Sequence, residues 1–258
     1  MTMRVKQIIS YSGGLGSFMS AYLSKKNHGA DNCVLLFADT HTEDEDLYRF
    51  LKETVAFLGI NLVTLDNNGE NIWDVFTRRR FMGNSRVDPC SETLKRKPLD
   101  KWVREHYTPD NSVRVVGIGP HEAHRLVRIK AAFAPWPVSA PLIDEPHTKE
   151  QIAAVLDKAG IEPPRLYEMG FPHNNCGGFC VKTGQRQMAL LLKELPEKYR
   201  WHELQQEKLF KLIGKRHGTI RITVDGELQY WGLKEFREFL EKGGKPQLYS
   251  EPGCGCVA

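Results

Sequence analysis

Between Ile8 and Ser17 the chain reads Ile-Ile-Ser-Tyr-Ser-Gly-Gly-Leu-Gly-Ser, a short β-type run that breaks into a glycine-rich turn and continues as a helix-type run. That order builds an anion site. Glycines let the backbone approach a phosphate, the turn amides converge on it, and a helix opening near Ser17 adds unpaired N–H groups and its positive dipole end. Ser12 and Ser17 add hydroxyls. The spacing is neither Walker A nor the dinucleotide fingerprint G-x-G-x-x-G. Alone, it would also fit an ordinary tight βα turn, so the rest of the chain must decide.

Strand and helix patterns alternate through the first two thirds, which predicts a parallel α/β sheet covered by helices on both faces. Strands are expected over 5–11, 33–38, 61–65 and 113–118. The helix between the second and third has Thr42 and Glu45 in capping-box positions and Gly59 at its end; another starts at Thr148 with Gln151 three residues on and ends at Gly160. The Ser12 loop, Asp39 and Gly117 fall at carboxyl ends of strands, where such sheets bind ligands. After Cys180, helices are expected over 181–195 and 196–213. A hairpin then turns on Asp225-Gly226, a short helix covers 233–240, and a glycine- and proline-rich tail follows. The division is thus a nucleotide-binding domain over 1–170 and a cysteine motif, helices, hairpin and tail over 171–258.

The 258 residues suffice for a sizeable core. No apolar run approaches the ~20 residues of a membrane span, and the N-terminus leads into a strand, so a cytoplasmic protein is expected. In that compartment six cysteines point to metal or redox chemistry.

The loop Ser12-Gly13-Gly14-Leu15-Gly16-Ser17 resembles the S-G-G-x-[DG]-S loop of the PP-loop ATP pyrophosphatase superfamily, which grips nucleotide phosphates. Five further segments resemble its phosphoadenylylsulfate (PAPS) reductase-like branch. Asp39-Thr40 ends a strand that lies beside the nucleotide there. Cys90 to Leu99 is similar to C-x-x-x-x-K-x-x-P-L, with Lys95 as its lysine. Gly117 to Arg125 is similar to a glycine strand end followed by E-x-x-R. Pro141-Leu142-Ile143 and Tyr167-Glu168-Met169-Gly170, leading to Cys176 and Cys180, complete the order. The resemblance implies an adenine nucleotide alpha-hydrolase-like fold binding ATP, or PAPS/APS, with Mg²⁺, through Ser12, Gly13, Gly14, Gly16, Ser17, Asp39, Thr40, Gly117, Glu122 and Arg125. It implies Lys95 as a catalytic residue. Many ATP-using relatives carry Asp where Gly16 stands.

Cys176-Gly-Gly-Phe-Cys180 sets two thiols in a glycine turn, and the resemblance brings Cys90 near them. Iron–sulfur reductases of the branch use a Cys-Cys pair and C-x-x-C; here Ser91 replaces the second cysteine of the pair and the later motif is C-x-x-x-C. Three thiols with one open position resemble the cluster-dependent thiolation enzymes of the superfamily. A [4Fe-4S] cluster, Zn²⁺ with His173 as fourth ligand, and no metal all stay open.

The net charge is +4, but residues 77–104 hold nine basic side chains (Arg78, Arg79, Arg80, Arg86, Lys95, Arg96, Lys97, Lys101, Arg104) against Asp88, Glu92 and Asp100. Such a patch fits tRNA, DNA, the anionic groups of a small nucleotide, or only a solvated face. Glu122 and Arg125 have the spacing of an intrahelical ion pair as well as a place beside the nucleotide. Asp39 could cap a helix or reach ribose or metal. The tail, Ser250-Glu-Pro-Gly-Cys254-Gly-Cys256, is expected to be a mobile arm bringing a catalytic thiol, Cys254 or Cys256, to the nucleotide; it resembles the branch's E-C-G-[LI]-H segment without that order or the histidine. The leading expectation is adenylation of a substrate followed by sulfur transfer, with a thiol or sulfur donor protein as partner. Sulfonucleotide reduction is the alternative, and a non-catalytic nucleotide-binding module with structural Zn²⁺ the third.

Overall fold

The computed structural model describes residues 5–84 and 86–247. In chain order the α/β part comprises β1 (Lys6–Ser10), α1 (Leu15–His28), β2 (Cys33–Asp39), α2 (Glu45–Leu58), β3 (Asn61–Asp66) and α3 (Ile72–Arg79). A short helix α4 (Pro89–Ser91), a π-helical turn over Glu92–Arg96 and α5 (Lys97–His106) follow without a break. Then come β4 (Ser112–Val115), α6 (Leu126–Phe133), β5 (Val138–Ser139), α7 (Pro141–Asp144), α8 (Lys149–Lys158) and α9 (Arg165–Glu168). The remainder is α10 (Gln185–Glu194), α11 (Pro196–Ile213), the hairpin β6 (Ile220–Val224) and β7 (Glu227–Trp231), and α12 (Leu233–Glu241).

The five-stranded sheet runs β3-β2-β1-β4-β5 with every pair parallel. Strands β1 and β2 are buried along their middles, as a sheet covered on both faces requires. Alternate residues serve opposite faces. Ile9, Leu35, Phe37 and Val115 pack with α1, α2 and α8, whereas Ile8, Val34 and Leu36 pack with Val103 and Trp136. Strand order reverses between β1 and β4, and that reversal opens a crevice at their carboxyl ends.

Caps follow the local sequence with two corrections. Thr148 and Gln151 form the expected box on α8, and Gly59 ends α2 in the left-handed region at φ 60°. The cap of α2, however, is Asp44, whose carboxylate accepts from Asp46 N at 3.1 Å, while Thr42 donates to Thr40 O. That leaves Glu43 free to turn inward. The helix expected from Val181 starts only at Gln185, because Thr183 bonds back to Cys180 O through both its hydroxyl and its amide. The two-residue β5 is too short for any sequence periodicity.

A second core joins α3 and Leu94 to Leu166, Phe179, Tyr199, Phe236 and their neighbours. At its centre His202 is fully buried, accepts from Trp73 Nε1 at Nδ1 (2.9 Å) and stacks on Phe179 with ring centroids 4.0 Å apart. Burial, and secondarily Lys198, holds this imidazole well below its ordinary range. The folded state therefore keeps it neutral while an unfolded histidine charges below pH ~6.5. Its contribution is fully present above that pH and lost as pH falls, at up to about 1.4 kcal/mol per unit. Urea midpoints at pH 7 and 5 test this: the parent should lose about 2 kcal/mol more than His202→Phe across that interval. Equal acid losses would contradict it.

Candidate functional site

The glycine loop closes the carboxyl end of β1. Gly13 sits at φ 73°, and a Cβ there would touch the Leu47 side chain at 3.0 Å. Gly14, extended at φ −98°, caps α1, which begins two residues before Ser17. No acidic residue lies in the first turn of α1, so its positive end is not neutralised there. Ser17 Oγ donates to Gly14 O (2.8 Å) and Ser12 Oγ to Ser17 Oγ (3.3 Å). Gly16 and Gly117 meet backbone to backbone: a Cβ on Gly16 would lie 2.7 Å from Gly117 O, and one on Gly117 2.8 Å from Ser17 N and Cα. Gly16 thus has a packing reason in this chain.

Two residues outside the expected set hold the loop. Tyr167 Oη accepts from Leu15 N at 3.3 Å, and buried Asn174 donates from Nδ2 to Gly13 O at 3.1 Å. The order of motifs brought this segment to notice, but nothing in the sequence singled out its amide side chain.

Two spaces meet at the loop. A cavity of about 50 Å³ runs behind Ser12 and Ser17 to Leu36, Phe37, Ala38 and Lys95. An open cleft of about 360 Å³ lies on the other side, bounded by Gly119, Glu122, His147 and Lys149, with His173 and Asn174. Asp39 ends β2 as expected, but its carboxylate accepts from His41 N (2.8 Å) and Tyr48 Oη (2.8 Å), which makes it a cap of the turn. Burial, then Asp39, pushes the Tyr48 phenol up. Hydrogen bonding to Asp66 raises the His41 imidazole. Glu122 and Arg125 are paired with each other, and Glu122 faces the open cleft.

Beyond Lys95 lies a third space of about 20 Å³, lined by Cys90, Cys176 and Cys180 together with Ser91, Asp88 and Lys182. The structure therefore gathers the three expected cysteines. Among the described residues, however, no three His, Cys, Asp or Glu side chains converge closely enough to hold an ion. His173 lines the open cleft and not this cavity. Ser91, where a reductase would place a second cysteine, has a buried hydroxyl without a hydrogen-bond partner.

Glu43, which sequence reasoning missed, organises the wall between the cavity behind the loop and the thiols. Its carboxylate accepts from Thr40 Oγ1 (3.0 Å), Lys95 Nζ (3.2 Å) and Cys176 N, and its carbonyl accepts from Lys198 Nζ (3.1 Å). Lys95 Nζ also reaches Cys176 Sγ at 3.9 Å. Cys176, Gly177 and Gly178 run through the left-handed region at φ 50°, 57° and 87°. Only glycine fits at 177, since a Cβ would fall 2.7 Å from Thr42 O and onto the Lys198 amine. A cysteine in that region costs about 1–2 kcal/mol, which its buried neighbours must offset. Burial lowers Lys198 from its ordinary value.

The basic stretch is largely paired: Arg78 with Glu70, Arg79 and Lys97 with Glu92, Arg96 with Asp88, Lys101 with Glu105 and Arg104 with Asp100. Cys254 and Cys256 lie outside the described residues. Among the described residues no helix is long and apolar enough to cross a membrane.

The family model described as phosphoadenosine phosphosulfate reductase domain matches residues 6–217. An uncharacterized protein of Methanocaldococcus jannaschii is 27% identical over 210 residues, 78% of this chain and 41% of that protein, so the chain spans about two fifths of that relative. An uncharacterized nin region protein of Escherichia phage lambda is 28% identical over 219 residues, 72% of this chain and 69% of its own. Similar solved structures include the PAPS reductase of Candida auris in a phosphate complex (TM-score 0.45, 15% identity, 65% of this chain and 78% of that chain). The NH3-dependent NAD synthetase of Campylobacter jejuni is another (TM-score 0.41, 13% identity, 97% and 91%).

Proposed function

The chain belongs to the phosphoadenosine phosphosulfate reductase domain family, and from that premise we propose that it binds an adenine nucleotide on the Ser12–Ser17 loop and performs sulfur chemistry beside it. The observation that carries this reading is Lys95, which lines both the cavity behind the loop and the cavity of Cys90, Cys176 and Cys180. A single ammonium thus stands between phosphate and thiols.

In the leading reaction ATP lies with its phosphates on the loop amides and its base toward Leu36, Phe37 and Ala38. A substrate oxygen attacks the α-phosphorus, the bond to pyrophosphate breaks, and sulfur from a donor protein or thiol then displaces AMP. Loop N–H groups and the α1 terminus stabilise charge on the departing pyrophosphate. The loop offers no carboxylate, so Mg²⁺ would arrive on the phosphates and neutralise them there. Iron or Zn²⁺ would have to be held by Cys90, Cys176 and Cys180; the thiolate donors suit either, they line one cavity without standing at ligating distance from a common point, and no step depends on it. Sulfonucleotide reduction is the second reading, favoured by the family match itself. In it a thiolate attacks the sulfur of an adenylyl sulfate, the S–O bond breaks, and nucleotide leaves a thiosulfonate on the protein.

Calorimetry with ATP, AMP and adenylyl sulfates, on the parent and on Gly14→Val, tests the proposal. A Cβ at 14 meets side-chain hydroxyls and no backbone, Tyr167 at 3.2 Å and Ser12 at 3.6 Å, and the extended backbone there (φ −98°, ψ 163°) suits valine, so the fold should stand. Phosphate approach is blocked, and affinity should fall at least about tenfold. Unchanged affinity in the folded variant would overturn the site. Preference for ATP or for a sulfonucleotide separates the two reactions. Iron and zinc analysis after anaerobic purification decides the metal: full occupancy in all three single Cys→Ser variants would exclude a shared site. Truncation after Tyr249 tests Cys254 and Cys256 as carriers, since full turnover without the tail would exclude them.

A further inference from the structure

Helix α1 opens without a cap of its own. The N–H groups of Leu15, Gly16 and Ser17 precede its first intrahelical bond, from Phe18 N to Gly14 O at 3.0 Å, and Gly14 at the N-cap has no side chain to accept from them. Helices α3 and α8 differ, because Asn71 and Thr148 cap them from the local sequence. At α1 the acceptor comes from 152 residues away: Leu15 N donates to Tyr167 Oη at 3.3 Å.

The phenol is held there from behind. Its ring packs against the core that contains Phe18 and Leu47, Leu166 beside it is fully buried, and Arg165 grips the Asp44 carboxylate through Nε (2.7 Å) and Nη2 (2.9 Å). Its oxygen lies over the turn, where a Cβ on Gly14 would come within 3.2 Å of it. A neutral hydroxyl thus occupies an amide at the positive end of a helix, a place that favours an anionic oxygen. The bond is longer than the ~3.0 Å typical of such contacts, whereas a charge-assisted bond to phosphate is shorter and about twice as strong.

We propose that Tyr167 is a specificity-determining residue of the nucleotide site, holding the Leu15 amide against whatever follows the α-phosphate. This inference rests on the reading above, in which the base lies toward Leu36, Phe37 and Ala38 and the phosphates lie on the loop. The phosphate chain then runs from the cavity behind Ser12 and Ser17 toward the open cleft, and Leu15 and Tyr167 line that cleft and not the cavity. A monophosphate ends before the phenol. The outer phosphates of ATP must take the amide from it, so the protein discriminates against them by the strength of one hydrogen bond.

Calorimetric titration of AMP, ATP and inorganic pyrophosphate into the parent and Tyr167→Phe tests this, together with the Leu15 amide followed by NMR. The phenyl ring keeps its packing. Loss of the hydroxyl should raise the ratio of ATP to AMP affinity about threefold or more, the size of a weak hydrogen bond, and should tighten pyrophosphate alike. The Leu15 N–H should exchange faster in ligand-free Tyr167→Phe than in the ligand-free parent, and in the parent its resonance should shift more with ATP than with AMP. An unchanged ratio would overturn the proposal, and a lower one would show that the phenol binds the phosphates instead. Equal Leu15 exchange in the two ligand-free proteins, or a larger shift with AMP, would overturn it as well. If neither protein binds AMP or ATP, the nucleotide reading fails; pyrophosphate bound more tightly by Tyr167→Phe would still support the phenol's hold on the amide, and pyrophosphate bound equally or not at all would overturn it.

Discussion

Gly117→Ala is expected to abolish measurable nucleotide binding and to lower the melting temperature by roughly 2–12 °C. The added methyl would sit 2.8 Å from Ser17 N and Cα, both backbone atoms of the first turn of α1, so no rotamer change relieves it. Forced overpacking of this kind costs about 1–3 kcal/mol, and each kcal/mol moves a chain of this size by about 2–4 °C. Relief requires α1 and its loop to slide away from β4, which spreads the amides that face phosphate. Gly14→Val should by comparison melt close to the parent. Differential scanning calorimetry with ATP titration distinguishes them, and a Gly117→Ala protein that melts and binds like the parent would refute the contact.

Glu43→Ala should be the most destabilising single side-chain truncation near the site, at about 3–5 kcal/mol. Lys95 and Glu43 have side chains only 11% and 2% exposed, so removing the carboxylate leaves a buried ammonium and also strips the acceptor from Cys176 N. Glu43→Gln keeps the shape and some of the hydrogen bonds, and should cost less. The double change Glu43→Leu/Lys95→Met removes both charges and should recover part of the loss, a coupling that urea titrations of the two singles and the double would measure. Additive losses in that cycle would show that the pair does not act as a unit.

How legible these features were depends on how local their causes are. The loop, the Thr148 box, Gly59 and the hairpin at Asp225-Gly226 are set by neighbours a few residues apart, and the sequence displays them. Glu43 was hidden among Thr42, Asp44, Glu45 and Asp46, any of which could have turned inward. Its inward turn is set by Lys95 and Cys176, 52 and 133 residues away. Nothing local marks His202 within the helix expected over 196–213; what marks it is Trp73, 129 residues earlier, which packs on it and bonds to it. The gathering of Cys90, Cys176 and Cys180 followed from the motif order, whereas the spacing of their donors did not. Charge counting over 77–104 overstated a patch because three further acidic partners, Glu43, Glu70 and Glu105, lie outside the counted window.

The bond from Asn174 to Gly13 spans 161 residues, and that from Tyr167 to Leu15 spans 152. Loop closures this long are late events in folding, since their entropy is lost before any contact returns it. The glycine loop is therefore fully braced only when the first two thirds of the chain are in place, and no fragment ending before 174 can hold it this way. Occupancy and global folding are consequently one linked equilibrium. A nucleotide held at one hundred times its dissociation constant would add about 2.7 kcal/mol to the stability of the entire fold.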